Sequence, residues 1–175
     1  MWEQTVAEER LFTGRIIDVR RLTVKLPNGH TSTREVVLHP GAVAVLAEVE
    51  PAKVVLVRQF RKPCEQVLWE IPAGKLEPGE EPERAAAREL SEETGYQCEG
   101  PLVPVHAFYT APGFSNEKLH VYYTKDVKRG AEHPDRDEFV ESQVFSRDEI
   151  GRMLAAGEIQ DAKTLVALYW WMARL

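Results

Sequence analysis

Three glutamates, Glu89, Glu92 and Glu93, stand at i, i+3 and i+4 within the run from Arg88 to Tyr96. A helix over these residues puts all three carboxylates on one face, with Cβ atoms about 5–6 Å apart. Like charges at that spacing destabilise a helix by roughly a few tenths of a kcal/mol per pair unless something compensates. One arginine, Arg88, cannot neutralise three acids. A divalent cation can, because Mg²⁺ takes oxygen ligands in octahedral geometry while keeping several waters. The position near the end of the helix sharpens the point, since the dipole there disfavours anions. A solvated acidic face is the competing reading. The stretch before the helix argues against it: Pro72, Gly74, Pro78 and Gly79 make a rigid loop running back toward the helix, with Glu80 just ahead of its start.

The elements that must position these acids can be read from punctuation. The composition from Pro82 to Thr94 predicts the helix itself, with Pro82 at its first position and Gly95 as its stop. Short β-type runs precede it: Thr13–Val19, Leu22–Leu26, Thr33–Leu38, Ala42–Leu46 and Val54–Val57. Asn28-Gly29 between two of them predicts a hairpin with a type I′ turn. Strands resume at Val103–Tyr109, His120–Thr124 and Phe139–Phe145. Ser146 and Glu149 form an S-x-x-E capping box for a second helix, with Ile150, Met153 and Leu154 as its apolar stripe and Gly157 as its end. Asp161 caps a third helix, whose Leu165, Leu168, Tyr169 and Met172 fall on one face.

The 175 residues suit one α+β domain with a leading β-region, and 43% apolar residues are ample for a core. The formal net charge of −6 argues against nucleic acid as a partner. No apolar run approaches the roughly 20 residues that span a bilayer, so no membrane partner is expected. Met1-Trp2-Glu3-Gln4 lacks the basic start of a signal peptide. Cys64 and Cys98 have no metal-type spacing and read as reduced thiols of a cytoplasmic protein.

The acidic stretch resembles the Nudix box at every specified position: Gly74, Glu80, Arg88, Glu89, Leu90, Glu92, Glu93, Gly95 and Tyr96, the last commonly aliphatic in that pattern. The resemblance implies an α/β/α sandwich with a mixed sheet, plus an N-terminal antiparallel β-region. It places that region at residues 1–40, exchanged between subunits of a homodimer, and the hydrolase domain at residues 41–175. It further implies Mg²⁺ (or Mn²⁺) held by Glu89 and Glu93, assisted by Glu92 and the Ala73 carbonyl, with Arg88 and Glu80 organising the loop. Glu92 also counts among the catalytic candidates.

Further segments resemble the ADP-ribose pyrophosphatase branch of that family: Pro40–Leu46, Arg58–Arg61, Glu70–Gly74, Ala111–Glu117 and Asp161–Thr164, with Pro112 standing 17 residues beyond Gly95. The activity implied is hydrolysis of ADP-ribose to AMP and ribose 5-phosphate. On that likeness Arg34 and Glu35 reach the partner subunit's substrate, and Arg61 and Lys75 bind substrate, Arg61 at phosphate or ribose. Ala111, Pro112, Gly113 and Glu117 line the terminal ribose pocket, while Phe12 or Ile16 packs on adenine. Relatives carry the general base on an acidic loop before the last strand. Here Arg136 replaces one of its acids, leaving Glu138, with Glu141 behind it. Another nucleotide sugar, of the GDP-mannose or ADP-glucose type, is the alternative substrate, and a non-catalytic ADP-ribose sensor is the alternative class.

Overall fold

The computed structural model describes residues 1–130 and 139–174. The chain divides into two compact units, residues 1–41 with 108–118, and residues 42–107 with 119–175.

The first unit is built on a three-stranded antiparallel sheet of β1 (Gln4–Thr13), β2 (Asp18–Lys25) and β3 (Thr31–Leu38), in that order. The first strand is longer and earlier than the sequence suggests. The Thr13–Val19 stretch, expected as a strand, is mostly the turn between β1 and β2, closed by the Gly14 N–H donating to the Ile17 carbonyl at 2.8 Å. The Asn28-Gly29 hairpin forms between β2 and β3, but not with a type I′ turn. Only Gly29 has positive φ (+87°), and its N–H donates to the Leu26 carbonyl at 2.9 Å. Asn28 instead uses its side-chain oxygen to accept the His30 N–H at 3.1 Å, the local bond that makes asparagine a turn residue.

The second unit holds the larger, mixed sheet. Its strands are β4 (Ala42–Glu50), β5 (Lys53–Arg61), β6 (Gln66–Glu70), β7 (Ala73–Lys75), β9 (Val103–Tyr109), β10 (Lys118–Thr124) and β12 (Glu141–Ser146). The path runs β12-β5-β4-β10-β9, with β10 parallel to β4 and β12 antiparallel to β5. The tip of the β9–β10 connection belongs to the first unit. A small two-stranded ladder joins β8 (Tyr96–Cys98) to β11 (Val127–Arg129). The last strand begins at Glu141, two residues later than expected; Phe139 and Val140 are irregular.

One feature of this sheet sets the position of the acidic helix. β4 and β5 pair only near their connecting turn, at Glu48↔Val54 and Glu50↔Lys53. Beyond it they separate, and β6 pairs with β5 on the side away from β12, while β7 pairs with β4 on the side away from β10. The segment Gln66–Lys75 is thus wedged between two central strands, and the Val45 N–H donates to the Pro72 carbonyl at 2.9 Å inside the wedge.

Helices cover both faces. Helix α1 (Pro82–Thr94) buries Ala85, Ala86 and Leu90 against Val43, Val45, Ala47 and Val55. Truncating a fully buried leucine such as Leu90 costs about 2–5 kcal/mol in general. Helices α2 (Arg147–Ala156) and α3 (Ala162–Met172) pack together, with α3 against β4 and β6. The Ser146–Glu149 capping box is present in both directions, and the Asp161 carboxylate accepts the Thr164 N–H, as expected. The buried face of α3 is Thr164, Ala167, Leu168 and Trp171; Tyr169, expected on that face, is exposed. This is an α/β/α sandwich around a mixed sheet.

Candidate active site

The 13-residue helix α1 starts at Pro82 and stops at Gly95, whose φ of +71° sends its N–H back to the Ser91 carbonyl at 2.9 Å. A left-handed residue there needs glycine, which is why the helix ends one residue past the last acid-bearing turn. Arg88 sits at the centre of the acids. Its Nε and Nη2 donate to both carboxylate oxygens of Glu80 at 3.0 Å each, a fork that pins the loop before the helix. Its Nη1 donates to Glu89 at 2.8 Å and to Glu92 at 2.9 Å. The Arg88 bonds hold the Glu80 carboxyl below its ordinary pKa, and Glu80 in turn holds the Arg88 proton more tightly than usual. Glu80 also accepts the Glu77 N–H at 3.1 Å, closing the loop on itself. Arg88 and Glu80 thus tie the loop together.

Two of the candidate ligands lean on the wedge segment. Glu93, 5% exposed, accepts the Ala73 N–H at 3.0 Å. Glu89 lies so close to Gly74 that a Cβ built there would stand 1.9 Å from its Oε1 and 2.5 Å from its Oε2. Gly74 is therefore a glycine for lack of room, and its missing side chain is the cradle for the Glu89 carboxylate. Among the described residues no three acid, histidine or cysteine groups are gathered as a finished metal cage. Glu89 and Glu92 turn toward Arg88, and Glu93 toward the backbone. The donors Glu89, Glu92, Glu93 and the Ala73 carbonyl are all oxygen, the hard set that suits Mg²⁺ or Mn²⁺. Mg²⁺ needs only one or two carboxylates beside its waters, so the set fits the ion.

The remaining candidates divide between the two units. In the second, Lys75 is exposed on β7 and its carbonyl receives Arg88 Nη2 at 3.4 Å. Arg61 forks onto Glu70, with Nε and Nη2 each 2.7 Å from a carboxylate oxygen. Glu141 opens β12 and pairs with Arg58 directly across the ladder. Glu138 lies outside the described residues. In the first unit, Arg34 is held by Glu3 at 2.6 and 3.0 Å and by Ser32 at 3.0 Å, while Glu35 is exposed on β3 opposite Arg21. Ala111 turns the chain by accepting the Phe114 and Ser115 N–H groups, with Pro112 and Gly113 exposed at the bend. Glu117 is fixed by the Thr110 hydroxyl and stands 3.5 Å from His39 Nδ1. Phe12 and Ile16 are 56% and 51% exposed.

Sequence reading did not assign roles to Glu70, Lys163, His39 or Thr110. The first two do lie in segments that carry the family likeness, but nothing in their spacing says that they meet.

Comparison with known proteins agrees with this geometry. Residues 37–168 match the NUDIX domain family and residues 3–37 match the nucleoside diphosphate sugar hydrolase N-terminal domain. The chain belongs to the NUDIX family and is a hydrolase of that class. It is 47% identical to the ADP-ribose pyrophosphatase of Bacillus subtilis (strain 168), over 96% of this chain and 91% of that one. It is 45% identical to the methanol dehydrogenase activator of Bacillus methanolicus over the same shares. A crystal structure of an ADP compounds hydrolase superposes with a TM-score of 0.86, covering 98% of this chain and 92% of that one; at 21% identity it supports the fold.

Proposed function

We propose that this chain hydrolyses the diphosphate of ADP-ribose, releasing AMP and ribose 5-phosphate. The observation that carries the reading is the pair of carboxylates seated on the wedge, Glu93 on the Ala73 N–H and Glu89 in the Gly74 cradle. The 47% identity to an ADP-ribose pyrophosphatase over nearly the whole chain supports the choice of substrate.

Glu89, Glu92, Glu93 and the Ala73 carbonyl would hold Mg²⁺, with Mn²⁺ as a substitute. When bound, the ion supplies charge neutralisation to the diphosphate and lowers the pKa of a coordinated water. Arg61 and Lys75 bring positive charge to the diphosphate or its ribose. Glu138, or in its place Glu141, takes the proton from the attacking water, whose oxygen joins one phosphorus as the P–O bond to the bridging oxygen breaks. Ala111, Pro112, Gly113 and Glu117 receive the terminal ribose, and Phe12 or Ile16 the adenine.

The chain acts as a homodimer in this reading, with residues 1–40 exchanged and Arg34 and Glu35 serving the partner subunit's substrate. Supporting this, β1 is exposed along its whole length and carries Val6, Leu11 and Phe12, exposed apolar side chains of the kind a partner chain covers. Cys64 and Cys98 are both free thiols, as suits the cytoplasm. No helix among the described residues is long and apolar enough to cross a membrane.

The test is phosphate release coupled to alkaline phosphatase, with ADP-ribose beside GDP-mannose and ADP-glucose, with and without Mg²⁺. Preference for ADP-ribose that chelation abolishes supports the assignment. Equal rates on all three keep the chemistry and cancel the substrate name. No turnover by the folded protein favours the sensor.

A further inference from the structure

Within the wedge segment, Glu70 gathers a group of charges of which only Arg61 has a role in the reaction as described. Glu70, the last residue of β6, is 1% exposed. It takes the fork of Arg61 on one side and the Lys163 ammonium on its Oε2. Lys163, itself nearly buried, stands 3.0 Å from Asp161 Oδ1. The other oxygen of Asp161 accepts the Thr164 N–H at 3.0 Å and the Thr164 hydroxyl at 2.6 Å. That same hydroxyl oxygen accepts the Ile71 N–H at 2.9 Å, so the chain of contacts closes on the residue after Glu70.

Two acids and two bases cancel, but one cation would neutralise Glu70. What the second cation adds is fixity. Arg61 alone could swing with Glu70 as a unit, because a fork holds two planes together without holding either to the protein. Lys163 ties Oε2 of Glu70, the oxygen that also accepts Arg61 Nη2, to the start of α3. Only Nε and Nη2 of Arg61 bond to the described residues, leaving Nη1 without a protein partner among them, and 39% of the side chain is exposed. The charges of Glu70, Glu93 and Asp161 all favour its protonated form, with the Glu70 bond the largest cause.

We propose that Lys163, acting through Glu70, is a positioning residue that fixes the Arg61 guanidinium so that its free edge receives a phosphate oxygen of the nucleoside diphosphate. The inference rests on the hydrolase reading above.

The experiment is a double-mutant cycle on the full-length protein at saturating Mg²⁺. Lys163→Met keeps the stem and removes the charge; Arg61→Ala removes the group being positioned; Lys163→Arg is the conservative rescue. Kcat and KM for ADP-ribose are measured alongside the thermal midpoint. Lys163→Met is expected to lower kcat/KM about tenfold in the wild-type background and to have almost no effect once Arg61 is gone. Lys163→Arg should restore most of the loss. An equal loss in both backgrounds, or wild-type kcat/KM in Lys163→Met, overturns the proposal. If Lys163→Met fails to fold, Glu70→Gln, which keeps the volume and releases both cations, is put through the same cycle with the same criteria. A wild-type protein inactive on every nucleoside diphosphate fails the hydrolase reading instead. The clamp is then judged by the affinity of the same variants for AMP: loss in Lys163→Met that vanishes without Arg61 supports it, and unchanged affinity overturns it.

Discussion

Alanine at position 74 tests the link between the wedge and the acids directly. Gly74 does not have positive φ, so the substitution brings no backbone strain, only a methyl group. That methyl would stand 1.9 Å from Glu89 Oε1 and 2.0 Å from its Cδ, against a floor near 3.0 Å for real contacts. The carboxylate must retreat by more than about 1 Å, and a misplacement of that size costs on the order of 10²-fold in rate. The loss corresponds to about 2.7 kcal/mol of transition-state stabilisation. The atoms in the way are the far end of a side chain, so the fold should survive by rotating Glu89 aside. Gly79→Ala is the control: its φ of +77° makes any side chain strained, yet nothing lies within 4 Å. It should cost about 1 kcal/mol of stability and leave turnover nearly intact. Steady-state kinetics over an Mg²⁺ titration, with thermal denaturation alongside, separate the two. A Gly74→Ala protein with kcat/KM within twofold of wild type and the same Mg²⁺ dependence would refute the cradle.

Glu93→Gln should keep the Ala73 N–H bond and the fold but lower turnover by about 10³-fold, equivalent to about 4 kcal/mol; near-normal rates would remove Glu93 from the metal set. The Glu80 carboxyl is held below its ordinary value of 4.5 by Arg88, so its stabilising effect is complete above that pH and is lost as pH falls through the depressed folded-state value. Glu80→Gln should accordingly be less stable than wild type at neutral pH and show a shallower loss of urea resistance below about pH 4.5; parallel curves for the two proteins would contradict the Arg88 pairing. Ser146→Ala removes the hydroxyl that accepts the Glu149 N–H, keeps the bond from the residue-146 N–H to the Glu149 carboxylate, and should cost about 1 kcal/mol by urea titration, with kinetics unchanged.

Local features were legible because they are written in neighbouring residues. Pro82 and Gly95 bound the acidic helix, Ser146 with Glu149 starts the second, and Asp161 caps the third, each by chemistry that spans four residues or fewer. Where composition and structure part, the cause is local as well. Thr13–Val19 has β-type composition but turns at Gly14, and Asn28 satisfies His30 through its side chain instead of adopting positive φ. Tyr169 fits the helical period of α3 yet faces solvent, because the sheet is met by Thr164, Ala167, Leu168 and Trp171.

By itself the sequence determined the chemistry available: three acids on one helical face, a glycine-and-proline loop before them, and a pattern specific enough to name the family. Covalent order and helical period suffice for that, since the acids lie within one turn of each other. Only the tertiary structure decided what holds them in place. The wedge between β4 and β5 brings Ala73 and Gly74 against Glu93 and Glu89, across separations of 20 and 15 positions in the chain. The link from Glu70 to Lys163 spans 93. Contacts at such distances leave no periodic trace; they exist because the packed sheet leaves the buried Glu70 carboxylate no water, and burial forces it to find its cations within the fold.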